Sequence, residues 1–301
     1  MNKTILVTGS NGFIGQHLLN YLFQKGHQVI TFARKDLGIN RSKHFFLENC
    51  VSQILLEFKP DFIFHLATCV QTNSLYESME INCQFAMRLL DAIKLNELRG
   101  KTKLIIFGSA AEYGLVEESN LPIKETQTPR PISHYGISKL AQTQMSLSSS
   151  LKQNVLCIRP FTVLGKSMPL YMAMGNFVDQ IKKLRVENKT TENFLHVGNL
   201  ETVRDFIDIE DAIELIWLLA NKEESFGKIV NLCSGIPVSL GEMVQFLIEQ
   251  SDRKIQILPQ ANRMRSNDVK INYGDNTLLK SLTHFAQFQP WKKTLTRILQ
   301  P

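Results

Sequence analysis

The sequence predicts an α/β protein in which helices cover both faces of a doubly wound parallel sheet. The run TILVT (4–8) is apolar, β-branched and too short for a buried helix, as expected of a central strand. The residues after it carry apolar side chains at helical spacing, and this alternation of short runs and helical stripes then repeats. Because alternating strands and helices need crossover connections, neighbouring strands are expected to run parallel.

The elements of the first 160 residues are expected in a regular order. Strands are predicted at 4–8, 27–33, 61–67, 103–109 and 154–160, and helices at 13–26, 52–59, 78–98 and 135–152. Gly26 is suited to end the first helix, and Pro60 stops the second.

The alternation breaks after Pro160. Residues 161–204 are expected to hold loops and one helix near 175–187, followed by a strand and helix over 204–220, a strand at 228–234, and helix, strand and loops from 236. This pattern predicts a first lobe of residues 1–160 plus 205–234. It also predicts a smaller C-terminal lobe of residues 161–204 plus 235–301.

Composition excludes several classes of protein. The 301 residues are 44% hydrophobic and 21% charged, as in soluble globular proteins. The formal net charge is +6, but the basic residues are scattered, so neither a nucleic-acid nor a polybasic membrane partner is expected. There is no apolar stretch long enough to span a membrane, no signal-peptide pattern and no CxxC pair among five cysteines. We therefore expect a cytoplasmic protein with buried, reduced thiols.

Three glycines follow the first strand in GSNGFIG, at Gly9, Gly12 and Gly15. In a dinucleotide-binding turn, the first glycine allows the tight turn, the second lets the backbone meet a pyrophosphate, and the third lets helix and strand pack closely. The helix N-terminus attracts the phosphate charge. The motif thus predicts a Rossmann-like fold, although a tight turn without a ligand is the alternative reading.

The end of the second strand indicates which dinucleotide is bound. An NAD site places a carboxylate there for the ribose hydroxyls, whereas this chain reads Phe32-Ala33-Arg34-Lys35. Arg34 can make forked hydrogen bonds to a 2′-phosphate, which favours NADP(H). Two alternatives stay open: Arg34 and Lys35 are ordinary loop charges, or Asp36 serves NAD.

A reactive pair is predicted in SHYGISKLAQ (133–142), where Tyr135 and Lys139 are four residues apart. On a helix they share a face, and an ammonium beside a phenol is expected to lower the pKa of Tyr135 toward neutrality. Such a tyrosine exchanges a proton with a carbonyl or alcohol oxygen. Ser109, at the carboxyl end of a predicted strand, can bond the same oxygen. Taken alone, the pair is also compatible with an ordinary surface helix.

Together these motifs resemble the extended short-chain dehydrogenase/reductases that act on nucleotide sugars. The motifs occur in the order GSNGFIG, HLA (65–67), GSAAEYG (108–114), YGISK, RP (159–160) and VRDFIDIED (203–211). The resemblance implies a catalytic Ser109, Tyr135 and Lys139, with Lys139 also on the nicotinamide ribose. It further implies cofactor contacts from Gly9, Gly12, Phe13, Ile14, Gly15, Leu66, Ala67, Tyr135 and Pro160. By the same resemblance the first lobe binds NADP(H) and the second the nucleotide sugar.

The residues at positions 110 and 111 indicate whether the chain is suited to dehydration. Sugar 4,6-dehydratases of this family carry an acid in the two positions after the catalytic Ser or Thr, and here both are alanine. Glu112 comes one residue later and, in a strand-like extension, is expected to point to the opposite face. These residues favour 4-ketoreduction, or epimerisation by hydride removal and return, over dehydration.

The C-terminal half is similar to reductases that form GDP-rhamnose from a GDP-linked 4-keto-6-deoxy-mannose. By that similarity Arg204 and Arg265 face the substrate diphosphate, with Arg263 as a further candidate. Thr162 takes the place of a family asparagine that often touches substrate, which leaves the sugar and the nucleobase open. The alternatives are a 4-epimerase or 4-ketoreductase of UDP-, dTDP- or CDP-sugars, and a non-catalytic NADP-binding regulator. No metal site is expected.

Three further expectations concern residues near the site. His65 is expected to be a core histidine, and Asn82 either reaches the site through water or packs on a helix surface. The helices near 80–98 and 136–152 are candidates for a homodimer interface, although their Phe85, Leu89, Leu140 and Met145 suit a core equally well.

Overall fold

The computed structural model describes residues 2–32, 42–45, 51–70, 74–186, 193–264 and 269–300. The strands are β1 Thr4–Thr8, β2 Gln28–Phe32, β3 Ser42–Phe45, β4 Phe62–His65, β5 Lys103–Phe107, β6 Val155–Pro160, β7 Thr162–Leu164, β8 Asn193–Val197, β9 Val203–Asp208, β10 Ile229–Leu232, β11 Pro237–Ser239, β12 Ile255–Pro259 and β13 Ile271–Asn272. The helices are α1 Phe13–Gln24, α2 Val51–Phe58, α3 Leu75–Met79, α4 Phe85–Leu95, α5 His134–Ser148, α6 Ala173–Val186, α7 Ile209–Ala220, α8 Leu240–Glu249, α9 Thr277–Thr283 and α10 Trp291–Leu299.

Seven of the described strands form one parallel sheet in the order β10-β6-β5-β4-β1-β2-β3. Side chains of β1 alternate between two cores: Ile5 and Val7 pack on one face, and Leu6 packs on the other. Helices α1 and α7 cover the first face, whereas α2 and α4 cover the second. The predicted α/β fold with a doubly wound parallel sheet is therefore confirmed.

Several elements differ from the sequence-based expectations. Residues 161–204 contain the strands β7 and β8, where loops and one helix were expected, and β3 was not expected at all. The single helix expected at 78–98 is divided, because a π-helical turn at Glu80–Gln84 separates α3 from α4.

A third core lies among β8, β9 and the helices α6, α8 and α10. It contains Phe177, Ile181, Leu195, Leu247 and Ile298. Strand β9 contributes to two cores, since Phe206 packs in this core while Ile207 packs in the core that includes α7. The proposed division into residues 1–160 plus 205–234 and 161–204 plus 235–301 stays a prediction.

Phe85 and Leu89, which were considered for a dimer interface, are buried in the core of this chain. Leu140 and Met145 are partly buried. The homodimer itself stays a prediction. Within the described ranges, none of the helices combines the length and apolarity that a membrane crossing needs.

Candidate active site

A cleft of about 1020 Å³ opens where the carboxyl ends of β1, β4, β5 and β6 meet. Open parallel sheets bind their ligands at this edge. The cleft is lined by most of the predicted site residues that the structure describes: Gly9, Gly12, Phe13, Ile14, Gly15, Leu66, Ala67, Ser109, Tyr135, Lys139 and Pro160. Residues far apart in the sequence thus meet in one place.

The glycine turn fits a dinucleotide. Gly9 has a φ of +69°, and a Cβ there would lie 2.5 Å from the backbone of Leu66 and Ala67. A Cβ on Gly15 would overlap the carbonyl oxygen of Gly9. Gly12 is exposed and begins α1, and no described side chain caps this helix. The first-turn N–H groups of α1 are therefore open to the cleft, where a pyrophosphate can accept their hydrogen bonds.

Ser109 ends the strand–turn connection after β5 and begins a short 3₁₀ turn, Ala110–Glu112. Its Oγ accepts a hydrogen bond from the Ala111 N–H at 3.1 Å and also interacts with the Tyr135 hydroxyl. The expectation that Glu112 continues a strand is wrong. Because the chain turns, the Glu112 carboxylate folds back beneath Ser109 and accepts its backbone N–H at 2.9 Å.

Tyr135 and Lys139 lie one turn apart on α5 and both line the cleft. Burial raises the pKa of Tyr135 to about 12, while interactions of its hydroxyl with Ser109 and Thr68 act in the opposite direction. The expected fall of the Tyr135 pKa toward neutrality is therefore wrong for the ligand-free chain. Burial lowers the pKa of Lys139 to about 8, and its Nζ donates to Gln142 Oε1 at 2.9 Å.

Asn82 lies in the π-helical turn and is fully buried, so it does not pack on a helix surface as one reading expected. Its Oδ1 accepts hydrogen bonds from Thr68 Oγ1 and the Cys69 N–H, both at 2.9 Å. Its Nδ2 donates to Ser138 Oγ at 2.8 Å. Asn82 thus joins the loop after β4 to α5, and no water is needed for this link.

His65 is a core histidine, as expected. Its side chain is fully buried, its ring lies 5.3 Å from that of Phe85, and its Nδ1 shares a 2.8 Å hydrogen bond with Thr8 Oγ1. His134 is exposed at the start of α5 and does not line the cleft.

Of the residues expected to bind substrate, those that the structure describes do not line the cleft. Thr162 and Arg204 do not line the cleft, and the Arg204 guanidinium donates to the Val203 carbonyl oxygen at 2.8 Å. Arg263 donates to Asn176 Oδ1 at 2.6 Å. Arg34 and Arg265 lie outside the described residues. No group of His, Cys, Asp and Glu able to hold a metal occurs in the described ranges.

Some lining residues were missed by sequence reasoning. Thr68 follows β4, and Tyr171 and Met172 precede α6. Arg88 of α4 also lines the cleft. Thr68 follows directly after the HLA motif, so its position in the sequence could have indicated that it lines the cleft. Tyr171 and Met172 lie in a segment with no periodic pattern, so no local signal marked them.

The fold is that of a dinucleotide-binding α/β protein, and Ser109, Tyr135 and Lys139 line the same cleft as its glycine turn. Comparison with protein families matches residues 5–233 to the NAD dependent epimerase/dehydratase family. The chain belongs to this family and is an NAD(P)-dependent oxidoreductase. The resemblance noted in the sequence is thereby confirmed at the level of the family.

Two curated relatives match over nearly their whole length. The chain is 31% identical over 280 residues to GDP-6-deoxy-D-talose 4-dehydrogenase from Aggregatibacter actinomycetemcomitans, covering 91% of this chain and 89% of the relative. It is 27% identical over 305 residues to GDP-6-deoxy-D-mannose reductase from Pseudomonas aeruginosa, covering 99% and 97%. The structure of RMD from Pseudomonas aeruginosa complexed with NADPH superimposes with a TM-score of 0.81 at 24% identity, covering 99% and 98% of the two chains. This likeness supports the fold.

Proposed function

We propose that the chain catalyses the NADPH-dependent reduction of a nucleotide-linked 4-keto-6-deoxy sugar, converting GDP-4-keto-6-deoxy-mannose to GDP-rhamnose. The observation that carries the proposal is the meeting of Ser109, Tyr135 and Lys139 in the same cleft as the glycine turn. The names of the two relatives, both enzymes of GDP-linked 6-deoxy sugars, support the substrate class.

The residues fit a carbonyl reduction. A bound NADPH supplies the hydride. At neutral pH the phenol of Tyr135 is protonated, because burial raises its pKa to about 12, and it can donate this proton to the C4 oxygen. The hydroxyl of Ser109 can donate a hydrogen bond to the same oxygen. In the ligand-bound chain, the ammonium of Lys139, one helical turn away, is expected to stabilise the tyrosinate once the proton has left.

Reduction is favoured over dehydration by the residues after Ser109. Ala110 and Ala111 cannot remove a proton from the sugar. The carboxylate of Glu112 is fully buried and lies 2.7 Å from the Arg159 guanidinium, so it is not free to act on a substrate.

The configuration at C4 is the open stereochemical choice. 6-Deoxy-talose and 6-deoxy-mannose differ at C4 alone, so the names of the two relatives describe opposite faces of hydride delivery to one ketone. GDP-rhamnose is the first candidate product. GDP-6-deoxy-talose is the second candidate product, because the relative that is named for 6-deoxy-talose is 31% identical to this chain.

The preference for NADPH rests on the sequence after β2. Phe32 ends this strand and lines the cleft, and the residues that follow are Ala33, Arg34 and Lys35. A carboxylate directly after the strand would repel a 2′-phosphate, and this chain has none there. Arg34 instead supplies a cation for the 2′-phosphate.

The test is a panel of GDP-, dTDP-, UDP- and CDP-linked 4-keto-6-deoxy sugars, with NADPH oxidation as the signal and NMR of the product at C4. We expect the GDP substrate to be reduced. Tyr135→Phe is expected to lower kcat by about 10²–10⁴-fold, while Tyr76→Phe, at a position 72% exposed, leaves it unchanged. Conversion of a UDP- or dTDP-sugar without net NADPH use would indicate the epimerase. If none of the tested substrates is converted, the non-catalytic regulator is favoured.

A further inference from the structure

The Glu112 side chain is a buried junction directly beneath Ser109. Its Oε1 accepts hydrogen bonds from the Ser109 N–H at 2.9 Å and from Thr143 Oγ1 of α5 at 3.1 Å. Its Oε2 accepts from Arg159 Nε of β6 at 2.8 Å. One carboxylate therefore links the turn after β5, the helix that carries Tyr135, and the neighbouring strand.

The surroundings of this carboxylate are shaped for it. Gly108 has no side chain, and a Cβ there would overlap Glu112 Oε1. The guanidinium of Arg159 also lies 4.6 Å from the ring centre of Tyr113, whose hydroxyl donates to Asn231 Oδ1 at 2.6 Å. The junction thus continues into β10. Glu112, Tyr113 and Arg159 are all 1% exposed or less.

Stability alone is a weak reason for this arrangement. Desolvating a carboxylate and a guanidinium costs several kcal/mol each, and a well-packed apolar group in the same space is often as stable or more so. The junction does, however, fix the backbone of Ser109 from below, while the Ala111 N–H holds the Ser109 Oγ from the side.

We propose that Glu112 is a positioning residue that holds Ser109 at a fixed distance from the Tyr135 face of α5. The proposal rests on the proposed function in so far as Ser109 and Tyr135 bind the same reacting oxygen. Glu112 itself does not line the cleft and does not touch the ligand.

A pH readout distinguishes positioning from plain stability. Burial is the main cause of both pKa shifts, raising that of Tyr135 and lowering that of Lys139, and the negative charge of Glu112 acts in the raising direction on both. The other titratable groups that act on the pair are Tyr171 on Tyr135, Cys83 and Cys157 on Lys139, and His65, whose own pKa is lowered by Lys139. Removing the Glu112 charge, with these groups unchanged, is expected to let both pKa values fall.

The first variant is Glu112→Gln, which keeps the size of the side chain and one acceptor for the Ser109 N–H. We expect kcat to fall about 10–100-fold through misplacement of Ser109, with KM and the NADPH Kd within about twofold. The alkaline limb of the kcat profile is expected to move to lower pH. Glu112→Asp keeps the charge, so its alkaline limb is expected to stay at the wild-type pH.

Asp208→Asn is the matched control. Asp208 is also a buried carboxylate that caps a helix and accepts from an arginine, Arg297, at 2.6 Å, but it does not line the cleft. We expect this variant to lose stability without a change in kcat or in the alkaline limb. If Glu112→Gln does not fold, Thr143→Val removes one donor to the same carboxylate and is expected to lower kcat about two- to fivefold.

Glu112→Gln with wild-type kcat and an unmoved alkaline limb would overturn the proposal, as would effects no larger than those of Asp208→Asn. In the absence of Glu112→Gln data, an unchanged kcat in Thr143→Val would do the same. If the wild-type chain reduces no 4-keto sugar, the proposed function fails separately. The positioning role is then decided by a crystal structure of ligand-free Glu112→Gln: a Ser109 Oγ displaced by about 1 Å supports it, and an unmoved Ser109 overturns it.

Discussion

At the scale of single residues, burial sets the protonation states of the site. It raises the pKa of Tyr135 to about 12 and lowers those of Lys139 and His65 to about 8 and about 3. The spacing of Tyr135 and Lys139 predicted that they share a helix face. It could not predict the pKa of the phenol, because that pKa depends on burial first and then on interactions with Ser109, Tyr171 and Thr68 from three other parts of the chain.

The burial of His65 makes the stability of the folded chain depend on pH. Its pKa is about 3 in the folded chain because burial disfavours the charged ring, against 6.5 in the unfolded chain. Below pH 6.5 the unfolded chain binds a proton that the folded chain refuses, so stability falls as pH falls toward 3. Between pH 7 and 4.5 we expect the wild type to lose about 2.5 kcal/mol more unfolding free energy than His65→Asn, measured by urea denaturation.

The comparison uses the difference in slope, because His65→Asn also changes packing. His284→Asn is the control, since His284 is exposed and has a left-handed backbone that asparagine accepts readily. Its stability is expected to follow the wild-type pH curve. A His65→Asn curve parallel to that of the wild type would contradict the assignment of a neutral, buried His65.

At the scale of elements, the turn after β1 packs its backbone directly against the loop after β4. Gly9→Ala places a methyl group 2.5 Å from the backbone of Leu66 and Ala67 on a left-handed φ. We expect a loss of about 2–5 kcal/mol in unfolding free energy from backbone strain and overpacking. Because both segments line the cleft, NADPH binding measured by calorimetry is expected to weaken as well.

Gly26→Ala separates the two causes. Gly26 has a φ of +78°, and apart from its chain neighbours no atom of the described residues lies within 4 Å of the place that an alanine methyl group would take, so this variant carries the backbone strain without the clash. We expect a cost of about 1–2 kcal/mol and unchanged NADPH binding. Equal effects of the two variants would contradict the close approach at Gly9.

The regular elements were the predictable ones. The strands β1, β2, β4, β5 and β6 were all expected, because central strands of a parallel sheet read as apolar runs. β7 has three residues and β8 forms its ladder with the distant β12, so neither gives a local pattern. The π-helical turn that turns Asn82 inward is likewise set by its partners Thr68, Cys69 and Ser138.

At the scale of the whole molecule, sheet topology explains why part of the site was predictable. Residues that follow parallel strands meet at one edge, so Gly9, Leu66, Ser109 and Pro160 could be grouped from sequence order. The position of Arg204 depends instead on β9, which pairs with β7, β11 and β13 and lies between two cores. No periodic pattern within the sequence reports that three-sided pairing.

Cofactor preference can be measured through the stability of the whole folded chain, because a ligand that binds only the folded state stabilises the entire chain against unfolding. At a free concentration of 100 times its Kd, NADPH is expected to add about 2.7 kcal/mol to the unfolding free energy. Each tenfold preference over NADH at equal concentration is worth about 1.4 kcal/mol, measurable as a difference in Tm.

Arg34→Asp is expected to remove this NADPH advantage, since it replaces the proposed partner of the 2′-phosphate with a repelling carboxylate. Arg99→Asp makes the same charge change at an exposed position outside the cleft and is expected to keep the advantage. Equal stabilisation of the wild type by NADH and NADPH would contradict the NADP preference and return Asp36 as a ribose partner. Stabilisation by neither would contradict the cofactor assignment itself, because the open N–H groups of α1 and the close approach at Gly9 would then have no dinucleotide to explain them.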